Sequence, residues 1–91
     1  MDNASRTHRI KTWPGPFAAV LDGSKRFEYR RNDRDYRTGD CLHLIEWEPI
    51  GKHETGRSCE ARVTFTLYGL EFGVPEGFVV MSLADVREHK A

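Results

Sequence analysis

The chain has 91 residues, of which 38% are hydrophobic and 31% are charged, and its 14 basic and 14 acidic side chains cancel to zero net charge. A chain of this length forms one domain around one modest core. Zero net charge excludes binding of polyanions through overall basic charge, so that any nucleic-acid contact requires a local patch. No apolar run is long enough to span a bilayer or to form a signal-peptide core, so we expect a cytoplasmic protein without membrane attachment.

The predicted domain covers residues 8–83. We expect a disordered N-terminal tail at residues 1–7 and a C-terminal tail at residues 84–91 that is either a helical turn or frayed. Cys41 and Cys59 lack the spacing of metal ligands, and two thiols in a cytoplasmic protein are expected to be reduced and packed on strands. The sequence has no P-loop, dinucleotide fingerprint or zinc pattern, so neither a metal nor a cofactor is expected.

The first predicted elements are a strand over residues 8–13 and a helix over residues 14–22. Prolines break the strand and suit the first turn of a helix, where a missing N–H costs nothing. Apolar residues then recur three and four positions apart, which is the spacing of one helical face. Gly23 is placed to end the helix in a left-handed conformation. The residues of that apolar face are Phe17, Val20 and Leu21.

Four further strands are predicted, over residues 26–31, 41–47, 58–68 and 78–83. The apolar residues of the 41–47 segment fall on both parities, which indicates either a strand covered on both sides or a bulge. The 58–68 segment alternates apolar and polar residues over its whole length, which is typical of a strand that bends around a barrel. About five strands with one early helix give a mixed α/β, mainly β fold, and favour a small barrel over a βαβ unit. Residues 48–57 contain proline and two glycines and are predicted to be a loop.

Residues 23–33 concentrate an ammonium, a carboxylate and guanidiniums within the second predicted strand. Phe27 and Tyr29 alternate with Glu28 and Arg30, which predicts that the aromatic side packs on the core and that the charged side lies on a rigid surface. Such a surface could bind a polar planar ligand: Glu28 would accept hydrogen bonds from amide or base N–H groups, while Arg30 would contact carbonyl or phosphate oxygens. The alternative is a row of exposed ion pairs that contributes little, and the local pattern alone favours it.

The spacing Gly23-x-Lys25-x-x-Glu28-x-Arg30 resembles the signature motif of the ASCH domains, a branch of the PUA-like fold. The order of the flanking segments is similar to a small ASCH-related branch from phage and bacterial genomes. Those segments are the early helix, the turns at residues 31–36 and 38–40, the glycine and arginine at residues 56–57, and the ending at residues 77–83. The resemblance covers residues 8–83.

This resemblance implies a PUA-like β-barrel with a cleft beside the first helix, lined by the motif, that binds RNA or a nucleotide-like ligand. Two residues that precede the helix are expected near this cleft, and the tryptophan beside the proline turn is expected to be exposed for stacking on a base. Three further polar residues are expected to contact phosphate at the rim. The complete set of predicted binding residues is His8, Lys11, Trp13, Lys25, Glu28, Arg30, Asn32, Arg34 and Arg57.

Two alternatives to binding remain open. One is a hydrolase acting on RNA or on a modified nucleoside, with Lys25 and Glu28 as catalytic residues. The ASCH branch that hydrolyses N4-acetylcytidine has a threonine nucleophile where this chain has Glu28, so binding is favoured over catalysis. The other is a phage or bacterial protein-interaction factor, suggested by the zero net charge and by the apolar loop at residues 70–74. With each of these functions, a monomer is the expected state.

Overall fold

A computed structural model describes residues 6–89 of the chain. The elements are β1 (Thr7–Thr12), α1 (Pro14–Asp22), β2 (Phe27–Arg31), β3 (Cys41–Glu48), β4 (His53–Tyr68) and β5 (Phe78–His89). The prediction of a mainly β fold with five strands and one short helix after the first strand is confirmed. The described residues include no helix with the length and apolar character needed to cross a membrane.

The five strands form one curled sheet in the order β1-β3-β4-β5-β2. β1 runs parallel to β3, and the other three neighbouring pairs are antiparallel. β1 and β2 are therefore the two edges of the sheet, and within residues 6–89 these two strands do not pair with each other. The curl of the sheet brings the two edges close enough for side chains to bridge the gap between them.

The short helix α1 forms where the sequence predicts it. The carbonyl of Trp13 accepts a hydrogen bond from the N–H of Phe17 at 2.9 Å, which begins the helix. Phe17 and Val20 are buried against the sheet. Gly23 adopts φ 86° and donates its N–H to the carbonyl of Val20 at 3.3 Å, so the helix ends in the left-handed conformation that glycine adopts without strain.

One hydrophobic core lies between α1 and the concave face of the sheet, and every element contributes to it except β2. Its buried residues are Ile10, Phe17, Val20, Tyr36, Leu42, Leu44, Cys59, Ala61, Val63, Val79, Met81 and Leu83. Both cysteines are free thiols, as predicted. Burial raises the pKa of Cys59 to about 11, so this thiol stays protonated in the folded protein.

The mixed apolar pattern of β3 coincides with an irregularity in its pairing with β4. Leu42 and Leu44 are fully buried, Ile45 is also buried, and the pairing shifts between Ile45 and Trp47. The extra residues lie in β4, where residues 55–57 are opposite the single residue Glu46 of β3.

The predicted loop over residues 48–57 is wrong for most of its length. β4 begins at His53 and pairs with β3 from the first residue, with Glu48 opposite His53 and Trp47 opposite Glu54, which leaves only residues 49–52 as the turn. The sequence pattern did not indicate this part of the strand because residues 53–57 are polar. They lie beyond the core, and their side chains are exposed. The alternation of β4 also breaks: Phe65 is 63% exposed, since the register with β5 shifts after Val63.

The predicted C-terminal tail is also wrong within the described residues. β5 continues to His89, which lies opposite Ser58 on β4. The β4 residues opposite this extension, 58–62, belong to the strand that the sequence predicted, and beside them Arg57 pairs with Glu88 at 3.2 Å. At the other end, Thr7 belongs to β1 and not to a tail. Residues 1–5 and 90–91 of the predicted tails lie outside the described residues.

The facing predicted for β2 is reversed in the structure. Glu28 is only 3% exposed, whereas Phe27 and Tyr29 on the opposite parity are each 48% exposed. The reversal has a physical cause, because two cations neutralise the Glu28 carboxylate and hydrogen-bond to it, which allows its burial. No other layer among residues 6–89 covers the outer face of β2, and this leaves both rings exposed.

Candidate functional site

A cleft of about 850 Å³ lies between the edges of β1 and β2. β1, the start of α1, β2 and the turn after β2 form its walls, and Phe78 at the start of β5 extends it. Its volume falls in the range of sites for small molecules. We therefore take the cleft as the candidate site.

The floor of the cleft is an ion-paired carboxylate. Lys25 Nζ donates to Glu28 Oε2 at 2.6 Å, and Arg30 Nε donates to Glu28 Oε1 at 2.9 Å. The Glu28 side chain is 4% exposed, while those of Lys25 and Arg30 are 21% and 26% exposed. The carboxylate is thus buried behind two cations that still reach the open space of the cleft.

The end of α1 places Lys25 at this position. Gly23 turns the chain out of the helix, and the N–H of Lys25 then donates to the carbonyl of Ala19 at 3.1 Å. Lys25 Nζ also donates to the carbonyl of Phe27 at 2.7 Å, on the outer edge of β2. The lysine is therefore held at both ends of its side chain, and two of its three ammonium hydrogens are already used.

Two guanidiniums bridge the gap between the sheet edges. Arg30 Nη2 donates to the carbonyl of Lys11 at 2.9 Å and lies 3.4 Å from Thr12 Oγ1. Arg34 Nη1 donates to the carbonyl of Arg9 at 2.7 Å. These carbonyls belong to the edge of β1 that no other strand of residues 6–89 pairs with. Side chains therefore take the place of a strand pairing at the back of the cleft.

Positive charge is concentrated around the cleft although the whole chain is neutral. Six basic side chains line it among residues 6–89, against the two carboxylates Glu28 and Asp33, which is a formal excess of four positive charges. The basic residues are Arg9, Lys11, Lys25, Arg30, Arg31 and Arg34. Such an excess favours an anionic ligand in this part of the surface.

Three of these cations, Lys11, Arg31 and Arg34, have no ion-pair partner among the described residues, and the first two pack on aromatic rings. Lys11 Nζ lies 4.0 Å from the centre of the Trp47 ring, and the Arg31 guanidinium lies 4.9 Å from the centre of the Phe78 ring. Packing on an aromatic face orients each cation without neutralising it. One stands on the β1 side of the cleft and the other on the β2 side.

Exposed rings stand on both sides of the opening. Trp13, between β1 and α1, is 60% exposed, as the sequence predicted. Phe27 and Tyr29 lie across from it on β2, and Tyr29 stacks on Phe78 with ring centres 5.3 Å apart. A planar ligand would therefore meet aromatic faces on either side.

Tyr36 contributes a phenol to the cleft from within the core. The residue is 2% exposed, its ring centre lies 4.7 Å from that of His8 with an angle of 64° between the rings, and its hydroxyl has no hydrogen-bond partner among the described residues. Burial raises the pKa of Tyr36, so the phenol remains protonated and can donate.

The structure brings six of the nine predicted binding residues to the cleft. These are Lys11, Trp13, Lys25, Glu28, Arg30 and Arg34. The other three have contacts elsewhere. His8 is hydrogen-bonded to Asp40 at 2.8 Å, Asn32 accepts the N–H of Tyr36 at 3.0 Å, and the Arg57 guanidinium lies 5.3 Å from the centre of the Phe17 ring.

His8 belongs to a second buried polar group around Asp40. Burial raises the pKa of Asp40, but hydrogen bonds from His8 and from the backbone N–H groups of Arg37 and Arg6 outweigh it, and the net pKa is lowered. The carboxylate therefore stays ionised and joins β1 to the turn before β3. His8 has a structural partner here and does not line the cleft.

Sequence reasoning missed several residues of the cleft. Arg31 was not selected, and Phe27 and Tyr29 were assigned to the core because aromatic residues on a strand usually face it. Phe78 and Tyr36 come from distant parts of the chain. The available signal was the strict alternation in Phe-Glu-Tyr-Arg-Arg, which already places Arg31 on the side of the two rings.

The described residues contain no group of three or more histidine, cysteine, aspartate or glutamate side chains placed to hold a metal ion. The groups that line the cleft are cations, the carboxylates of Glu28 and Asp33, a phenol and aromatic faces. These groups can hydrogen-bond to a polar ring, stack on it and hold an anion.

Comparison with known proteins identifies relatives. Residues 7–83 match the family described as "Domain of unknown function (DUF3850)", and this match includes the whole cleft. A protein of Escherichia phage P2, described as "Uncharacterized 12.9 kDa protein in GpA 3'region", is 43% identical over 60 residues, which cover 66% of this chain and 53% of that protein. The match thus spans about half the length of the phage relative. The chain belongs to the DUF3850 family.

Proposed function

We propose that the cleft binds a nucleotide-like ligand, either free or as one nucleotide of an RNA. The observation that carries this proposal is the convergence of Lys25, Glu28 and Arg30 on one concave floor. The alternative to a binding site was a row of exposed ion pairs on a flat strand face. A carboxylate that is 3% exposed, at the bottom of a cleft, has a different environment from such a row.

The unused hydrogen-bonding capacity of the floor suits the edge of a nucleobase. Each Glu28 oxygen accepts one bond from a cation and retains further lone pairs for the N–H groups of a base. Lys25 keeps one ammonium hydrogen, and Arg30 keeps guanidinium N–H groups that its contacts with Glu28 and β1 do not use. Adjacent donors and acceptors complement a base edge, where carbonyl oxygens and N–H groups alternate.

The surroundings of the floor suit the rest of a nucleotide. Lys11 and Arg31 are oriented cations without an ion-pair partner among residues 6–89, and either can contact a phosphate oxygen. Trp13 offers an exposed face for stacking on the base. The resemblance of the motif from Gly23 to Arg30 to the ASCH signature supports the same ligand class and a PUA-like assignment of the fold.

Tryptophan fluorescence tests the proposal directly, because the chain has only two tryptophans. In a Trp47→Phe protein, Trp13 is the remaining reporter, and a nucleotide that stacks on it quenches its emission. We expect saturable quenching with at least one of the four ribonucleoside 5′-monophosphates, and recovery of the nucleotide with unchanged mass. Recovery of a cleaved product would show hydrolysis in place of simple binding.

The control pair for this titration is Lys25→Ala and Arg62→Ala. Lys25 holds the cleft floor, whereas Arg62 is an exposed cation paired with Asp85 outside the cleft. Lys25→Ala should weaken binding about tenfold or more, since a charge-assisted hydrogen bond contributes about 1.5–3 kcal/mol. Equal weakening by both variants, or no saturable quenching with any of the four nucleotides, would refute the proposal.

A further inference from the structure

The outer face of β2 continues the cleft with an arrangement of rings and cations that the cleft floor does not require. Phe27 and Tyr29 project to this face, and Phe78 on β5 stacks on Tyr29 with an angle of 19° between the rings. We call Phe27, Tyr29 and Phe78 the aromatic strip. All three line the same opening as the ion-paired floor.

Burial in the core does not explain the aromatic strip. Phe27 and Tyr29 are each 48% exposed and lie on the parity opposite to the buried Glu28. Cations flank the strip, because Lys25 Nζ lies 4.8 Å from the centre of the Phe27 ring and the Arg31 guanidinium lies 4.9 Å from that of Phe78. These cation contacts and the stacking of Tyr29 on Phe78 hold the rings in defined orientations while their faces remain accessible.

The backbone of β2 presents a free edge between the floor and the strip. The N–H of Leu83 donates to the carbonyl of Arg26, and the N–H of Asn32 donates to that of Gly77, which fixes the hydrogen-bonding phase of the antiparallel pair. Because paired and unpaired positions alternate, the N–H and C=O groups of Tyr29 and Arg31 point away from β5. Within residues 6–89 these groups have no hydrogen-bond partner, so they add donors and acceptors at the lip of the cleft.

We infer that the physiological ligand is a single-stranded nucleic acid: the cleft takes one base, and the aromatic strip takes its neighbour. This inference rests on the proposed function and narrows its ligand class. Accessible rings interleaved with cations are the features that bind successive bases of a single strand, which expose their faces as duplex bases do not. A free mononucleotide would leave the strip unused, and also one of the two ring-packed cations, Lys11 or Arg31.

The inference predicts that affinity rises with strand length. Fluorescence anisotropy of the full chain with a labelled single-stranded RNA of eight nucleotides should give a Kd at least tenfold below that of the best mononucleotide. A 16-base-pair RNA duplex of mixed sequence should bind at least tenfold more weakly than the single strand at equal salt. Equal affinity for mononucleotide and octanucleotide would overturn the inference and leave the proposed function intact.

Substitutions distinguish stacking of a base on the Tyr29 ring from nonspecific binding. Tyr29→Leu should weaken octanucleotide binding about tenfold more than it weakens mononucleotide binding, since one further stacked base contributes about 1–3 kcal/mol. Tyr29→Phe keeps the ring and should bind like the parent. Phe72→Ala, which removes a ring that is 90% exposed but does not line the cleft, is the matched control and should also bind like the parent.

Salt dependence tests the cations of the strip independently. The logarithm of the octanucleotide affinity should fall with the logarithm of the KCl concentration, and each phosphate contact should contribute a slope of about −0.7. Arg31→Ala should make the slope shallower by about one contact. An unchanged slope in Arg31→Ala, together with full octanucleotide affinity in Tyr29→Leu, would contradict a role for the strip. Failure of both mononucleotide and octanucleotide to bind would refute the proposed function itself.

Discussion

Two of the three carboxylates that are buried among residues 6–89, Glu28 and Asp40, lie in contrasting environments, while the third, Glu46, accepts a hydrogen bond from Thr55. Asp40 is 4% exposed, and its partners are His8 and groups of the segments around it, so its hydrogen bonds join parts of the fold. Glu28 is 3% exposed, but its partners Lys25 and Arg30 keep contact with an open cleft. Burial alone therefore does not mark a functional carboxylate. What distinguishes Glu28 is that its partners retain unused donors that face free space.

Removal of Asp40 should cause the largest loss of stability. We expect Asp40→Ala to lower the free energy of unfolding by about 3 kcal/mol, because it leaves His8 and backbone N–H groups buried without their acceptor. Urea denaturation followed by circular dichroism measures this loss. Nucleotide affinity of the folded fraction should stay within twofold of the parent. A loss of affinity larger than that of a cleft variant would remove the distinction between the two carboxylates.

In contrast to Asp40→Ala, the Glu28→Gln variant should lose little stability and much nucleotide affinity. Glutamine keeps the shape and one acceptor, so we expect a loss of about 1 kcal/mol in the free energy of unfolding. Nucleotide affinity should fall about thirtyfold, which corresponds to about 2 kcal/mol, because the charged acceptor for base N–H groups is lost. Isothermal titration calorimetry measures the affinity. Unchanged affinity together with a large loss of stability would make Glu28 a purely structural residue.

Arg30→Lys tests the bridge between the sheet edges. Lysine keeps the charge but cannot hold Glu28 and the carbonyl of Lys11 with one planar group. We expect about fivefold weaker nucleotide binding and about 1 kcal/mol lower stability. The matched control is Arg62→Lys on an exposed pair away from the cleft, which should change neither quantity measurably. Identical behaviour of the two variants would show that the bridge does not contribute.

Acid should destabilise the protein partly through Asp40. The pKa of Asp40 is lowered in the folded state, so its contribution is fully present above the ordinary value of about 3.8 and is lost as the pH falls through the lower folded value. Thermal melting between pH 5 and pH 2 should therefore show a smaller acid-induced decrease in Tm for Asp40→Asn than for the parent. Parallel decreases in both proteins would contradict the ionised state of Asp40.

The smallest expected effect concerns the alkylation of Cys59, which lies in the hydrophobic core. Burial raises its pKa from 9.0 to about 11, which reduces the thiolate fraction about hundredfold at pH 8. In a Cys41→Ser protein, iodoacetamide should alkylate Cys59 only after unfolding in urea, as measured by mass spectrometry. Saturating nucleotide should not accelerate this reaction. Rapid alkylation of Cys59 in the folded protein would show that reagent reaches the core, and would contradict this prediction.

The sequence predicted the elements whose signals are local. Pro14, the spacing of Phe17 and Val20, and Gly23 determine α1 within a few residues, and the motif from Lys25 to Arg30 already identified the floor of the cleft. The prediction failed where pairing across the sheet decides the outcome. The start of β4 before residue 58 and the end of β5 are polar. They form strands because the first pairs with the end of β3 and the second pairs with residues 58–62 of β4.

The facing of β2 could not be predicted from its alternation, because alternation does not say which side is buried. The usual rule places rings inside, but the structure buries Glu28 because Lys25 is delivered to it by the end of α1. The place of Tyr36 in the cleft could not be predicted either, because the residue belongs to the core and the curl of the sheet brings it to the cleft. Cooperation between distant segments determines both features.

Backbone amide chemical shifts during a nucleotide titration test the central claim most directly. With ¹⁵N-labelled full chain and the mononucleotide that quenches Trp13, we expect saturable shifts confined to residues 9–13 and 25–36, while the amides around His8 and Asp40 stay within experimental scatter. The same titration of Glu28→Gln should need about thirtyfold more nucleotide. Shifts centred on the Asp40 group, or no saturable shifts at the two cleft edges, would contradict the account.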